Sequence, residues 1–97
     1  MASKLQDAQP DTSDTDAVLR QVLSEVLGLD AEQVSGFEAD TGLFGHLPEL
    51  DSMAVAGLLT EIEDRLDILI EDDEVDGEML ETYGGLRDFV VSKRARD

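Results

Sequence analysis

From Asp16 onward the apolar residues come in pairs, Val18 with Leu19, Val22 with Leu23 and Val26 with Leu27. That three-or-four spacing places one buried stripe on a helix. It predicts a first helix from about Asp16, capped by Ser13 or Asp14, with Asp16 suited to its positive end and Gly28 as a left-handed stop. The pattern then fails over residues 29–51, where Leu29, Val34, Phe37, Leu43, Phe44 and Leu47 are scattered around one possible helical turn at residues 30–34. Connections of this length are uncommon in a small domain and are usually either functional or disordered, and the scattered apolar anchors favour a pinned, functional loop.

Gly42, Gly45 and Pro48 follow one another quickly, whereas after Ser52 no Gly or Pro except Gly57 appears until residue 77. A second helix is therefore expected from Ser52 to about Leu66, with Ser52 placed to cap its free N–H groups. Ala56, Leu59, Ile62 and Leu66 fall on its buried stripe, with Val55 and Leu58 on the flanks. Glu61, Glu63 and Asp64 lie toward solvent. Met53, Ala54 and Gly57 are left near the serine without a core role and become candidate contact positions, although Met53 could equally fill the core.

Ile68-Leu69-Ile70 is too short a run to assign by period and is expected to be extended and half-buried. Beyond the acid run Glu71-Asp72-Asp73-Glu74, Val75, Met79 and Leu80 suggest a short third helix interrupted at Gly77 and ended by Tyr83 and Gly84-Gly85. Leu86, Phe89 and Val90 give a fourth helix its buried side, and Lys93, Arg94 and Arg96 suit its negative C-terminal end. The polar stretch 1–13 reads as a disordered tail, 14–92 as the domain and 93–97 as a C-terminal tail. No repeat is visible.

The fold class expected is all-α, a small four-helix bundle with three longer helices and one short. With 97 residues, one small domain without a large enclosed active site is the economical reading. Cysteine is absent, which removes disulfides, thiolate metal sites and cysteine nucleophiles. A formal net charge of -17 argues against binding nucleic acid or anionic membranes and points to partners with basic surfaces. The chain has neither a signal-like apolar run at its start nor a stretch long enough to span a bilayer, so a soluble, cytoplasmic monomer is expected.

Most candidate chemistry does not survive inspection. Asp72, Glu74, Asp76 and Gly77 have the spacing of the first half of a calcium-binding loop, but Tyr83 stands where the bidentate glutamate belongs. A solvated acidic face that loosely takes up Mg²⁺ or Ca²⁺ fits the run better, and no specific metal site is assigned. His46, the one histidine, has no convergent partner in the sequence. The paired carboxylates cluster on helix faces rather than around a pocket. Ser52 lacks the Gly-x-Ser-x-Gly elbow of a hydrolase nucleophile.

Asp51-Ser52-Met53 followed by an amphipathic helix resembles the acyl carrier protein family, in which Asp-Ser-Leu opens the second helix. The resemblance runs through about residues 16–92. It implies that a phosphopantetheinyl transferase joins 4′-phosphopantetheine from coenzyme A to Ser52, with Asp51 contributing to recognition by the transferase. A helix start suits such a phosphodiester, since its N–H groups and dipole favour negative charge. The protein would then be a carrier, not an enzyme, holding acyl groups as thioesters for acyl-transfer, ligase or synthase enzymes with basic docking surfaces.

Glu63 and Asp64 match acids that face partners in the family, while Met53 replaces the usual leucine. Ala54 and Gly57 stand where housekeeping fatty acid carriers usually have acids, which turns the expectation toward a specialised carrier in a lipid, fatty-acid-related or secondary pathway. Leu59, Ile62, Leu66, Ile68 and Ile70 offer an apolar lining for the acyl chain. Two alternatives stay open: an aminoacyl or peptidyl carrier, D-alanine carriers included, and an unmodified acidic helical adaptor.

Overall fold

The computed structural model describes residues 12–96, which form five helices in the order α1 (Thr12–Leu27), α2 (Ala31–Ser35), α3 (Ser52–Leu66), α4 (Gly77–Glu81) and α5 (Tyr83–Arg96). Three are long. This is the expected all-α bundle, with the helical turn anticipated after Asp30 realised as α2. Helix α1 packs against α2, α3 and α5, and α4 packs against α5. No helix among the described residues is long and apolar enough to cross a membrane.

The paired stripe of α1 is inside, with Leu19, Val22 and Leu23 fully buried, and Gly28 stops the helix at φ +70°. Because α1 starts at Thr12, Ser13 and Asp14 are its second and third residues rather than its caps. The tail expected over residues 1–13 otherwise lies outside the described residues. At the other end α5 runs to Arg96, and Lys93 bonds Glu74 at 2.9 Å while Arg94 bonds Asp14 at 3.1 Å. Residues 93–96 thus continue α5, and these ion pairs tie its last turn to other elements.

The buried face of α3 is rotated from the expected stripe. Leu58, Ile62 and Leu66 are buried, Val55 and Leu59 flank them half-buried, and Ala56 is exposed. Adjacent leucines at 58 and 59 permit two helical stripes, and α1 takes the one through Leu58. The helix ends in Asp67, whose φ of 55° places it in the left-handed region that an aspartate tolerates better than most residues. Ile68-Leu69-Ile70 is non-helical as expected and alternates in burial: Ile68 is buried, Leu69 exposed and Ile70 half-buried.

Gly77 opens α4 rather than interrupting it, after a single 3₁₀ turn at Asp72–Glu74. Asp76 caps the helix by accepting the Met79 N–H at 2.7 Å. Gly84 and Gly85 do not end a helix either; they lie in the first turn of α5. A Cβ on Gly84 would come within 2.7 Å of the Ala39 carbonyl, and one on Gly85 within 2.7 Å of that of Met79. These glycines let backbone approach backbone, Gly84 pinning the long loop at Ala39 and Gly85 letting α5 close against Met79 of α4. Gly42 and Thr82 form an antiparallel bridge. The Leu43 and Phe44 N–H groups donate to Glu81 O at 2.7 Å and Leu80 O at 3.0 Å, while Tyr83 N–H donates to Thr41 O at 2.9 Å.

A polar hub joins α1, α2, the loop and α5. The Arg20 guanidinium donates to Asp16 at 2.8 Å, to the Val34 carbonyl at the end of α2 and to the Phe37 carbonyl at 3.0 Å. It also lies 4.8 Å from the ring centroid of fully buried Tyr83, within range of a cation–π attraction. The Tyr83 hydroxyl donates to Asp16. Hydrogen bonds from Arg20 hold the Asp16 carboxyl below its ordinary value, with help from the Tyr83 hydroxyl, although burial acts in the opposite sense. Burial, and then the bond to Asp16, raises the Tyr83 phenol well above its ordinary value.

Candidate functional site

The loop fixed against α4 and α5 delivers Ser52 to the start of α3. The capping role falls one residue earlier than expected: Asp51 is the N-cap, and its carboxylate accepts the Ala54 N–H at 2.8 Å. An extended backbone at Asp51 followed by a helical Ser52 lets the carboxylate reach forward over the first turn. Ser52 is thus the first helical residue. Its hydroxyl is exposed and has no hydrogen-bond partner among the described residues. By contrast, the Ser24 hydroxyl donates to Leu29 O at 2.7 Å and that of Ser35 to Glu32 O at 2.9 Å. Ser92 is exposed but lies within α5.

Two hollows open at Ser52. A shallow groove of about 640 Å³ runs along the loop past Phe44, His46, Leu47, Pro48 and Leu50 to Asp51 and Ser52. An apolar cleft of about 240 Å³ lies between α3 and α4, bordered by Phe44, Val55, Val75 and Leu80, with Ser52, Asp76 and Gly77 at its edge. His46 is exposed, and its ring lies against Gly42, where a Cβ would come within 2.4 Å of the imidazole. Among the described residues no group of three His, Cys, Asp or Glu side chains is placed to hold a metal ion. Of the acids that resembled a calcium loop, Asp76 caps α4 and Glu74 pairs with Lys93.

The other expected site residues divide. Met53 is 85% exposed, which excludes core filling, and Gly57 and Asp64 are also at the surface. Ala54 instead packs half-buried against the core, because its position one turn before Leu58 faces α1. Glu63 is half-buried and its carboxylate accepts the Ile70 N–H at 2.7 Å, so it ties the segment after α3 back onto the helix. Leu59, Ile62, Leu66, Ile68 and Ile70, expected to line an acyl chain, border neither hollow at Ser52. Ile62, Leu66 and Ile68 are shut into the core. The residues that do border the cleft come from the loop, α3 and the α4 region; the sequence marked Phe44 as a loop anchor and Val55, Val75 and Leu80 as apolar positions of separate helices, without bringing them together.

An anionic phosphodiester fits this setting: an unpartnered hydroxyl at a helix start, no acid in the first turn of α3 and open grooves beside it. The family described as phosphopantetheine attachment site matches residues 17–90. A solution NMR structure of a holo acyl carrier protein from Nitrosomonas europaea superposes with a TM-score of 0.73 at 39% identity, covering 81% of this chain and 93% of that one. No curated protein matches the chain. The chain belongs to the acyl carrier protein family, as a carrier with covalently attached 4′-phosphopantetheine rather than an enzyme.

Proposed function

We propose that Ser52 is the attachment residue and that the protein carries acyl groups as thioesters in a specialised lipid or fatty-acid-related pathway of the cytoplasm. The observation that carries the assignment is the exposed, unpartnered Ser52 hydroxyl where loop, groove and cleft meet. The prosthetic group supplies a flexible thiol on which a carbonyl is activated for transfer. The chain's own residues do the rest. Asp51 fixes the helix start and keeps a carboxylate beside the hydroxyl, placed for recognition by the phosphopantetheinyl transferase and for the Mg²⁺ of that reaction. The loop ladder to α4 and α5 holds the serine outward, away from other acceptors.

The cleft beside Ser52 is walled chiefly by Phe44, Val55, Val75 and Leu80, with Asp76 its one charged residue, and this mainly apolar lining supports an acyl cargo. The surface around the serine supports the specialised role. Ser52 to Thr60 contains no charged residue, and exposed Met53, Ala56 and Gly57 present apolar or small groups to whatever docks there. Carriers of this family work with phosphopantetheinyl transferases and acyl-handling enzymes; the partners proposed for this one meet an uncharged helix start and find acids only further along α3.

Incubation with coenzyme A, Mg²⁺ and a broad-specificity phosphopantetheinyl transferase should add a single arm, read by intact mass. Ser52→Ala should abolish the addition while leaving the helical circular dichroism unchanged. Modification mapped to Ser24, Ser35 or Ser92, or none under conditions that load another carrier, would overturn the assignment.

A further inference from the structure

Phe44 and Ser52 are the two residues shared by the loop-side groove and the cleft between α3 and α4. Phe44 is half-buried and packed against the core, and its N–H is tied to Leu80 O at 3.0 Å. Leu80 itself borders the cleft, so the Phe44 backbone is anchored to an element that lines it. The hollows differ in character. The groove combines apolar Leu47, Pro48 and Leu50 with polar His46 and Asp51, a mixture suited to an arm of amides and hydroxyls. The cleft is lined mainly by apolar side chains, Phe44, Val55, Val75 and Leu80, with Asp76 its one charged residue.

We propose that Phe44 is a specificity-determining residue, a partition that keeps the prosthetic arm on the loop side and directs the acyl cargo into the cleft. This rests on the attachment at Ser52 and on an acyl cargo. Two adjoining hollows that open at one hydroxyl would otherwise form a single wide trough in which arm and cargo could exchange places. A bulky ring fixed at its backbone prevents this. The cleft is an open one of about 240 Å³, larger than the closed cavity of about 150 Å³ that accommodates benzene, so a medium-length acyl chain can lie along it. An octanoyl chain is therefore the probe.

Wild type, Phe44→Ala and Phe44→Leu are loaded with either the bare arm or the octanoyl arm, and loading is verified by intact mass before spectra are recorded. A failure of the Ser52 reading shows itself at that step and takes this proposal with it. NMR shifts then compare the octanoyl and bare-arm forms. In wild type the octanoyl chain should shift Val55, Val75 and Leu80 and leave Leu47 and Leu50 near their bare-arm positions. In Phe44→Ala both sets should move, and neutral hydroxylamine should cleave the thioester several-fold faster. Phe44→Leu, which keeps an apolar anchor and so protects the fold, should show the same leak to a smaller extent. The proposal is overturned if the wild-type chain leaves the cleft residues unmoved, or if both variants keep the wild-type separation.

Discussion

The two ends of α3 are built differently. From Ser52 to Thr60 the helix has no charge, whereas Glu61-Ile62-Glu63-Asp64-Arg65-Leu66 has four charged residues in six. At the far end most of that charge is bound into the fold: Arg65 bridges Glu61 and, across to α1, Glu25, and Glu63 holds the Ile70 N–H. At the serine end nothing comparable occurs. The Ser52 hydroxyl has no partner among the described residues, Met53 is 85% exposed, and the space where a Gly57 Cβ would point is open to 4 Å. The charges of the far end tie the helix to its neighbours, whereas the serine end, though Leu58 is buried on its inner side, leaves Ser52, Met53, Ala56 and Gly57 exposed. That division leaves an uncharged exposed stretch beside the serine on a chain of net charge -17.

The largest contrast lies in packing. Ile62 is fully buried, and Ile62→Ala should cost about 2–5 kcal/mol from lost burial and the cavity left behind. Met53→Ala, which removes no buried contact, should stay within about 0.5 kcal/mol while weakening productive encounter with the partner enzyme, seen as a raised KM with unchanged loading by the transferase. Urea denaturation of both variants checks the first half. Comparable destabilisation would mean that the serine end also supports the fold.

This division was only partly legible in the sequence. The limits of α3 were readable because glycines and a proline stop before Ser52 and an uninterrupted apolar period follows. Which face went inside was not, since Leu58 and Leu59 serve two stripes that share Ile62 and Leu66. Gly84-Gly85 gave a true signal with two physical causes, helix termination and close backbone approach, and only the Ala39 and Met79 carbonyls decide between them. The serine's setting was legible because it depends on local order along the chain. The cleft was not, because Phe44, Val55 and Leu80 belong to three elements whose convergence no local pattern encodes. Arg20, the one cation of α1, carried no signal in the sequence. Its hub depends on Val34, Phe37 and Tyr83 arriving from elsewhere.

A smaller effect comes from titration of that hub, which belongs to the holding part of the molecule. Asp16 has a lowered folded pKa, so its contribution is present above the unfolded value of about 4 and is lost as pH falls through the folded value. Tyr83 is shifted in the opposite sense. Its contribution is intact below the unfolded value of about 10 and declines as pH rises beyond it, because the unfolded chain releases the proton first. Tyr83→Phe should cost about 1 kcal/mol at neutral pH for the lost hydrogen bond and should flatten the alkaline decline. Urea midpoints measured between pH 7 and strongly alkaline solution would show this. Parallel curves for wild type and variant would remove Tyr83 as the cause, and Ser52 loading should be unchanged at neutral pH in either case.

The smallest expected effect tests the uncharged end directly. Ala54 is unsuitable for adding charge because it packs against the core, but a side chain at Gly57 meets nothing within 4 Å. Glycine in a helix interior costs up to about 1 kcal/mol relative to alanine, so Gly57→Ala should raise stability by a few tenths to about 1 kcal/mol. Gly57→Glu should gain somewhat less, because the new carboxylate lies one turn before Glu61 and like charges at that spacing repel by a few tenths of a kcal/mol. The two variants separate helix strength from charge. A housekeeping malonyl transferase with a basic docking surface should load holo wild type and Gly57→Ala at similar slow rates. It should load Gly57→Glu up to about five-fold faster at low ionic strength, since an exposed pair contributes about 1 kcal/mol or less and acts mainly on association. Added salt should erase the gain, as screening shortens the reach of an exposed charge. If all three load equally fast, the missing acids at the serine end do not set partner choice. If Gly57→Ala gains as much as Gly57→Glu, the helix start limits docking through its stiffness rather than its charge.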